Sequence, residues 1–313
     1  MCFFAKDIAK TARTRQTGLM SEVLCIGSVL WDVIGRASAV MRVGSDVPGR
    51  ITRLPGGVAM NIAMTLRRFD MTPVLLTAIG RDEEGDELME SARRMGLLVD
   101  HIYRSDDLPT DVYMAVEGAN GLIAAIADAH SLEAAGDKIL QPLEDGRLGS
   151  KTSPYTGHIA LDGNLTEALL ARIAQSPLFA QADLRVAPAS PGKAERLLPL
   201  LAAPNATIYV NLEEAGLLCQ SAFPDAPTAA AALLKRGAAE ILVTDGGKTA
   251  AHAHKGGVLT ATPPEVLVTR VTGAGDTFMA AHIAAGMRGE TAEQALEGAL
   301  RAAANYVSGD VPS

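Results

Sequence analysis

Short apolar runs alternate with longer amphipathic stretches along most of this chain, and no other feature restricts its fold as much. EVLCIGSVL (22–30) is an apolar run ending near Gly-Ser, the form of a strand buried on both faces. VAMNIAMTLRRF (58–69) has helical spacing and PVLLTAIG (73–80) reads as a strand. DEEGDELMESARRMG (82–96) reads as a helix with acids in its first turn and Gly96 to close it. The rhythm resumes with HIALDGN (158–164), LTEALLARIA (165–174), LRVAP (184–188), TIYVN (207–211), EILVTDGG (240–247) and the helical stretches 274–287 and 291–307. Such alternation predicts an α/β fold, a parallel sheet with helices on both faces.

Two stretches break the pattern. WDVIGRASAVMRVGSDVPGRITRL (31–54) is turn-rich with short β-like ends, and TDVYMAVEGANGLIAAIAD (110–128) alternates around Gly-Ala-Asn-Gly, a hairpin signal. Together they predict a small antiparallel sheet standing off the core as a lid; a pair of long surface loops is the plainer alternative. Residues 141–157 read as an exposed loop. Residues 1–20 read as a loose tail ahead of a domain over 21–313, with an organelle-targeting peptide as the alternative, because the segment is basic and poor in acids.

Composition narrows the partners. With 28 Lys and Arg against 36 Asp and Glu, the net charge is −8, which leaves no broad basic face for nucleic acid or an anionic membrane. Cys2, Cys25 and Cys219 form neither a disulfide framework nor a CxxC pair, which suits a reducing, cytoplasmic setting and gives zinc no support. Small molecules are the expected partners.

Two glycine turns stand directly before helices. In VTGAGDTFMAAHIAAGM (271–287), Gly273, Ala274 and Gly275 leave a helix start bare of side chains, where unpaired N–H groups and the dipole favour an anion. Asp276 stands beside them, able to take a proton from a hydroxyl under attack or simply to favour the dipole. In PGGVAMN (55–61), Gly56 and Gly57 let the backbone approach a ligand, and Asn61 offers a donor and an acceptor suited to vicinal hydroxyls, or faces solvent. LVTDGGKT (242–249) is not a P-loop, since Leu242 stands where its first glycine belongs and a strand-like run follows. It reads as a turn at a strand end, leaving Thr244, Asp245, Gly246 and Gly247 as nucleotide contacts. In NLEE, Asn211 and Glu214 suit either a helix cap or a magnesium ion held directly or through water. Asp32 either grips a sugar hydroxyl or begins a turn. His252 and His254 share a strand face and read as a solvated edge.

GSVLWD, GGVAMN, NLEE and VTGAGD, in that order, resemble the landmarks of the PfkB or ribokinase family of sugar and nucleoside kinases, from about Val23 to Val307. The resemblance implies a ribokinase-like three-layer α/β/α sandwich with a mainly parallel sheet and a small β-sheet lid. It implies ATP as phosphoryl donor, magnesium as cofactor, Asp276 as general base, and the amides of Ala274, Gly275 and Asp276 as an anion hole. Asp32, Gly56, Gly57 and Asn61 would bind substrate; Asn211, Thr244, Asp245, Gly246, Gly247 and Thr272 would bind ATP, with Glu214 near magnesium. SDVPGRITRLPGGVAMNIA, GLIAAIAD and LDGNLT further resemble the pseudouridine kinases of that family, which would put Asp128 and Asn164 near the substrate and make pseudouridine 5′-phosphate the product. Ribose, ketosugars, 2-keto-3-deoxygluconate and adenosine are the alternative acceptors within the family; a non-catalytic binding protein on the same scaffold is the alternative outside it. The lid also implies a homodimer.

The chain departs from the family pattern in places. Arg270, Val271 and Thr272 replace a frequent Asp-Thr-Thr, which argues against the family's monovalent-cation (K+) site. Leu30, Ala187 and Thr249 likewise replace residues common in relatives.

Overall fold

In chain order the strands are β1 (Glu22–Ile26), β2 (Leu30–Arg36), β3 (Arg50–Gly56), β4 (Thr72–Leu76), β5 (Ala78–Gly80), β6 (Tyr103–Ser105), β7 (Val112–Gly118), β8 (Gly121–Asp128), β9 (His158–Asp162), β10 (Asp183–Ala187), β11 (Ala206–Asn211), β12 (Glu240–Thr244), β13 (Ala250–His254) and β14 (Gly257–Ala261). They belong to a computed structural model that describes residues 22–42 and 44–309. The tail expected over 1–20 lies outside the described residues.

Eight strands form one sheet in the order β14-β13-β12-β11-β10-β9-β1-β4. Pairing is parallel from β12 through to β4, while β13 and β14 add an antiparallel edge. Alternate residues of β1 enter opposite cores: Leu24 and Ile26 pack on one side, Val23 and Cys25 on the other. A strand walled by helices on both faces therefore reads as a continuous apolar run. Helices Glu167–Gln175, Leu212–Cys219 and Ala226–Lys235 cover the first face; Val58–Arg68, Glu83–Arg94, Ala274–Met287 and Ala292–Ser308 cover the second. The three-layer α/β sandwich is thus the observed fold.

Local chemistry sets the helix boundaries. The Asp82 side chain caps the helix Glu83–Arg94 by accepting from Gly85 N–H at 2.8 Å, and Gly96, at φ 78°, turns the chain away after its end. Thr291 and Gln294 form a reciprocal capping box at the start of Ala292–Ser308. Among the described residues no helix is long and apolar enough to cross a membrane.

A separate four-stranded sheet has the order β3-β2-β7-β8; its two outer pairings are antiparallel but β2 and β7 run parallel, so the small sheet is mixed rather than the antiparallel one expected. Its register sets Asp32 opposite Leu54 and Tyr113 on one face, and Trp31 beside Pro55 and Val112 on the other. Trp31 anchors that second face to the core: its indole N–H donates to the Glu84 carbonyl at 2.9 Å, and the Arg53 guanidinium lies 3.9 Å from its ring centroid.

Two further local expectations fail. Residues 141–157 are not wholly an exposed loop, because a 3-10 helix, Gly136–Leu143, buries Pro142 and Leu143. The histidines do not form a solvated edge. β14 pairs outside β13, so β13 is interior, and His252 is only 2% exposed, with Nε2 at 2.6 Å from Glu240 Oε1.

Candidate active site

All parallel strands end on one side of the sheet, and the candidate residues collect at those ends, where open α/β sheets bind ligands. Asp162 closes β9 opposite Ala187 of β10, and Asn211 closes β11 opposite Thr244 of β12.

The two glycine turns meet there. Helix Val58–Arg68 packs along helix Ala274–Met287, and this contact brings Asn61 to Asp276 across 215 residues of chain, with Asn61 Nδ2 donating to Asp276 Oδ2 at 2.9 Å. Gly273 occupies the cap position at φ 87°, with no side chain capping the helix. A Cβ on Gly273 would stand 2.5 Å from the Tyr306 hydroxyl, which donates to the Thr272 carbonyl at 2.9 Å. Glycine is required there on both counts. Gly275 faces open space. The expected trio of free amides is narrower in the structure, because the Ala274 N–H donates to the Val271 carbonyl at 3.1 Å. Gly275 and Asp276 are left to present theirs.

Asp276 is half-buried, and its carboxyl is pushed up to about 7. Desolvation is the largest cause; the Asn61 hydrogen bond opposes it, and the Asp162, Asp32 and Glu214 carboxylates raise it further. Burial likewise pushes Asp32 up to about 6. Gly56 is needed beside Asp32, since a Cβ there would collide with the Asp32 carboxylate.

Glu214 is 7% exposed and forms the reciprocal capping box with Asn211: Asn211 N–H donates to Glu214 Oε2 at 2.9 Å, and Glu214 N–H to Asn211 Oδ1 at 2.8 Å. The cap expected from NLEE is therefore present, and burial raises the Glu214 carboxyl above its usual range. Among the described residues no three His, Cys, Asp or Glu side chains converge as a metal cage. Thr244 and Asp245 are half-buried at the end of β12, and Gly246 and Gly247 are exposed beyond them; the strand β13 follows where a P-loop would need a helix. Thr272 is exposed next to the bare helix start.

Around the expected Asn164 the structure adds Asp162, Ser28 and Lys193, which the motifs missed. Asp162 is fully buried and accepts from Ser28 N–H at 2.7 Å, Ser28 Oγ at 2.6 Å and Asn164 N–H at 2.8 Å. Ser28 Oγ in turn accepts from Val58 N–H at 3.0 Å, which ties the β1 end to the Gly56-Gly57 turn. Asn164 donates through Nδ2 to Ser28 Oγ at 3.0 Å and accepts from Lys193 Nζ at 2.6 Å. A Gly-Ser and an Asp-Gly at strand ends were the available signals. Asp128 behaves differently. It is exposed and pairs with Val112, so the two-residue period of the strands puts it on the face of the small sheet opposite Asp32.

The family model for pfkB family carbohydrate kinases matches residues 20–309. A pseudouridine kinase from Arabidopsis thaliana is 28% identical over 258 residues, 75% of this chain and 66% of that protein, so the chain spans just under two thirds of that relative. A pseudouridine kinase from Escherichia coli is 28% identical over 263 residues, 82% of this chain and 81% of that protein. The structure of Arabidopsis thaliana ribokinase complexed with ribose and ATP superposes with a TM-score of 0.74 at 19% identity, covering 93% of each chain.

Proposed function

Because the chain belongs to the pfkB family of carbohydrate kinases, we propose that it transfers the γ-phosphate of ATP to the primary hydroxyl of a nucleoside or sugar, with the 5′-hydroxyl of pseudouridine as the favoured acceptor. One observation carries this reading: a carboxyl poised near neutrality, Asp276, stands at an uncapped helix start and is hydrogen-bonded to Asn61 of the second glycine turn. A base whose proton affinity matches the working pH takes the hydroxyl proton most effectively. The Gly275 and Asp276 amides and the helix dipole would then hold charge on the phosphoryl group as it passes. Phosphoryl transfer has a loose transition state, so positioning and electrostatics carry most of the acceleration.

Asp32, Gly57 and Asn61 would hold the acceptor's hydroxyls, and Thr244, Asp245 and the two glycines after them would hold the nucleotide. The influences that dominate Asp276, after desolvation and Asn61, are all carboxylates, so polyphosphate entering this cleft needs a counter-cation. Glu214, a buried oxygen donor with one carboxylate oxygen left over from its cap, fits a magnesium ion that keeps most of its water and phosphate ligands. When bound, magnesium supplies charge neutralisation across the phosphates.

A homodimer through the lid is part of this proposal. Ile51, Met114 and Ile126, at 77%, 46% and 67% exposure, share the sheet face away from Asp32, and exposed apolar patches of this kind mark interfaces.

The test is an ATP-consumption assay with pseudouridine, ribose, adenosine, fructose and 2-keto-3-deoxygluconate. The expected result is turnover of pseudouridine above the rest. Preference for another acceptor reassigns the substrate within the family; binding of one compound without turnover of any defeats the kinase proposal and leaves a binding protein.

A further inference from the structure

The Asn164 amide is held by its neighbours. Nδ2 donates toward Ser28 Oγ at 3.0 Å and Asp162 Oδ2 at 3.2 Å, two acceptors only 2.6 Å apart that share one amide hydrogen, and Oδ1 accepts from Lys193 Nζ at 2.6 Å. Flipping the amide would set oxygen against a carboxylate and NH2 against an ammonium, so both neighbours hold the same orientation. What remains is one lone pair on Oδ1, the second Nδ2 hydrogen and two N–H donors on the Lys193 ammonium. Lys193 is half-buried and joins no ion pair among the described residues. It stands on the 3-10 helix Pro191–Leu197 just beyond β10, on the edge of the sheet where the site lies.

Its place in the cleft follows from its contacts. Three hydrogen bonds, from Lys193 to Asn164, Asn164 to Ser28 and Val58 to Ser28, and then a turn of helix separate it from Asn61 and Asp276. Through Asn164 it belongs to the β9 and β1 ends, beside Ser28 and the acceptor-binding turn. The part of an acceptor remote from its reacting hydroxyl is what reaches there.

Resting on the kinase reading above, we propose that Lys193 and Asn164 Oδ1 together read an amide edge on the acceptor, a carbonyl oxygen beside an N–H as on a uracil ring. Lys193 donates to the carbonyl, Asn164 Oδ1 accepts from the ring N–H, and Asp162 and Ser28 hold the Asn164 amide in the one orientation that permits this. Sugars without a base have no such edge. Lys193 is therefore a specificity residue for uracil nucleosides rather than for the phosphoryl step.

The experiment compares wild type with Lys193→Met and Lys193→Arg, measuring kcat and KM for pseudouridine, uridine, ribose and ATP. For Lys193→Met, the ratio of kcat/KM for pseudouridine to that for ribose is expected to fall about tenfold or more, mainly through the nucleoside KM, since a hydrogen bond to a charged donor is lost. Lys193→Arg is expected to recover part of it. Equal losses on ribose and pseudouridine, a raised KM for ATP, or no change in the ratio would each overturn the inference. Calorimetric titration with pseudouridine covers a variant too slow to assay; unweakened binding also overturns it. A wild type that phosphorylates ribose but not uracil nucleosides overturns this inference alone, whereas one that phosphorylates nothing overturns the kinase reading as well.

Discussion

Replacing Asp276 by Asn removes the proposed base while changing almost nothing else. The Asn61 Nδ2 donor at 2.9 Å can still be accepted by an amide oxygen, so the link between the two glycine turns survives. Loss of a positioned general base costs about a hundredfold to ten-thousandfold in turnover, and binding of ATP and acceptor should change little. The pH profile makes the test specific. With the wild-type carboxyl near 7, the active ionised form rises from roughly a tenth to roughly nine-tenths between about pH 6 and pH 8, so kcat/KM should climb about tenfold over that window. The variant should lose that limb. Stability supplies a second readout. The folded carboxyl sits above its unfolded value, so the protein is penalised increasingly as pH rises from near 4 toward 7, by at most about 4 kcal/mol at about 1.4 kcal/mol per unit. Asp276→Asn should therefore melt above wild type at pH 8 and with it near pH 4. Stopped-time product assays across pH 5.5–8.5 and thermal unfolding at both ends would decide the matter. Near-normal turnover, or an unchanged acid limb in the variant, refutes the role of Asp276.

Gly56→Ala would drive a methyl into the Asp32 carboxylate; the acceptor KM should rise about tenfold or more while ATP binding holds, and an unchanged KM in steady-state assays would remove Asp32 from acceptor binding. Burial opposes charge on Asp183, but His158 at 2.9 Å and Arg185 outweigh it and hold the carboxyl well below its usual range. This stability is present above the unfolded value near 4 and is lost as pH falls below it. Arg185→Met should cost about 2–3 kcal/mol in urea unfolding at neutral pH, less than a fully buried pair because Asp183 is a third exposed, and should flatten the acid loss. Ile126→Lys places a charge in the apolar outer face of the lid and should halve the scattering mass if that face joins two copies; a wild type that is already monomeric ends the dimer proposal.

The sequence by itself determined the elements and the layers. Apolar runs such as EVLCI and TIYVN could be satisfied only by burial on both faces, and Gly96, Asp82 and Thr291 mark helix ends through backbone conformation and capping that act within a few residues. The bare turn at Gly273 was legible for the same local reason. Only the tertiary structure decided what these pieces meet. Asn61 reaches Asp276, Asp162 saturates itself on Ser28, and Lys193 takes the free side of Asn164, each across more than two dozen residues of intervening chain. Ala274's amide went to Val271, and His252 left the surface because β14 lies beyond it. A carboxyl's proton affinity depends on the water it loses and the charges that pack around it, and neither quantity exists until the strands and helices have come together.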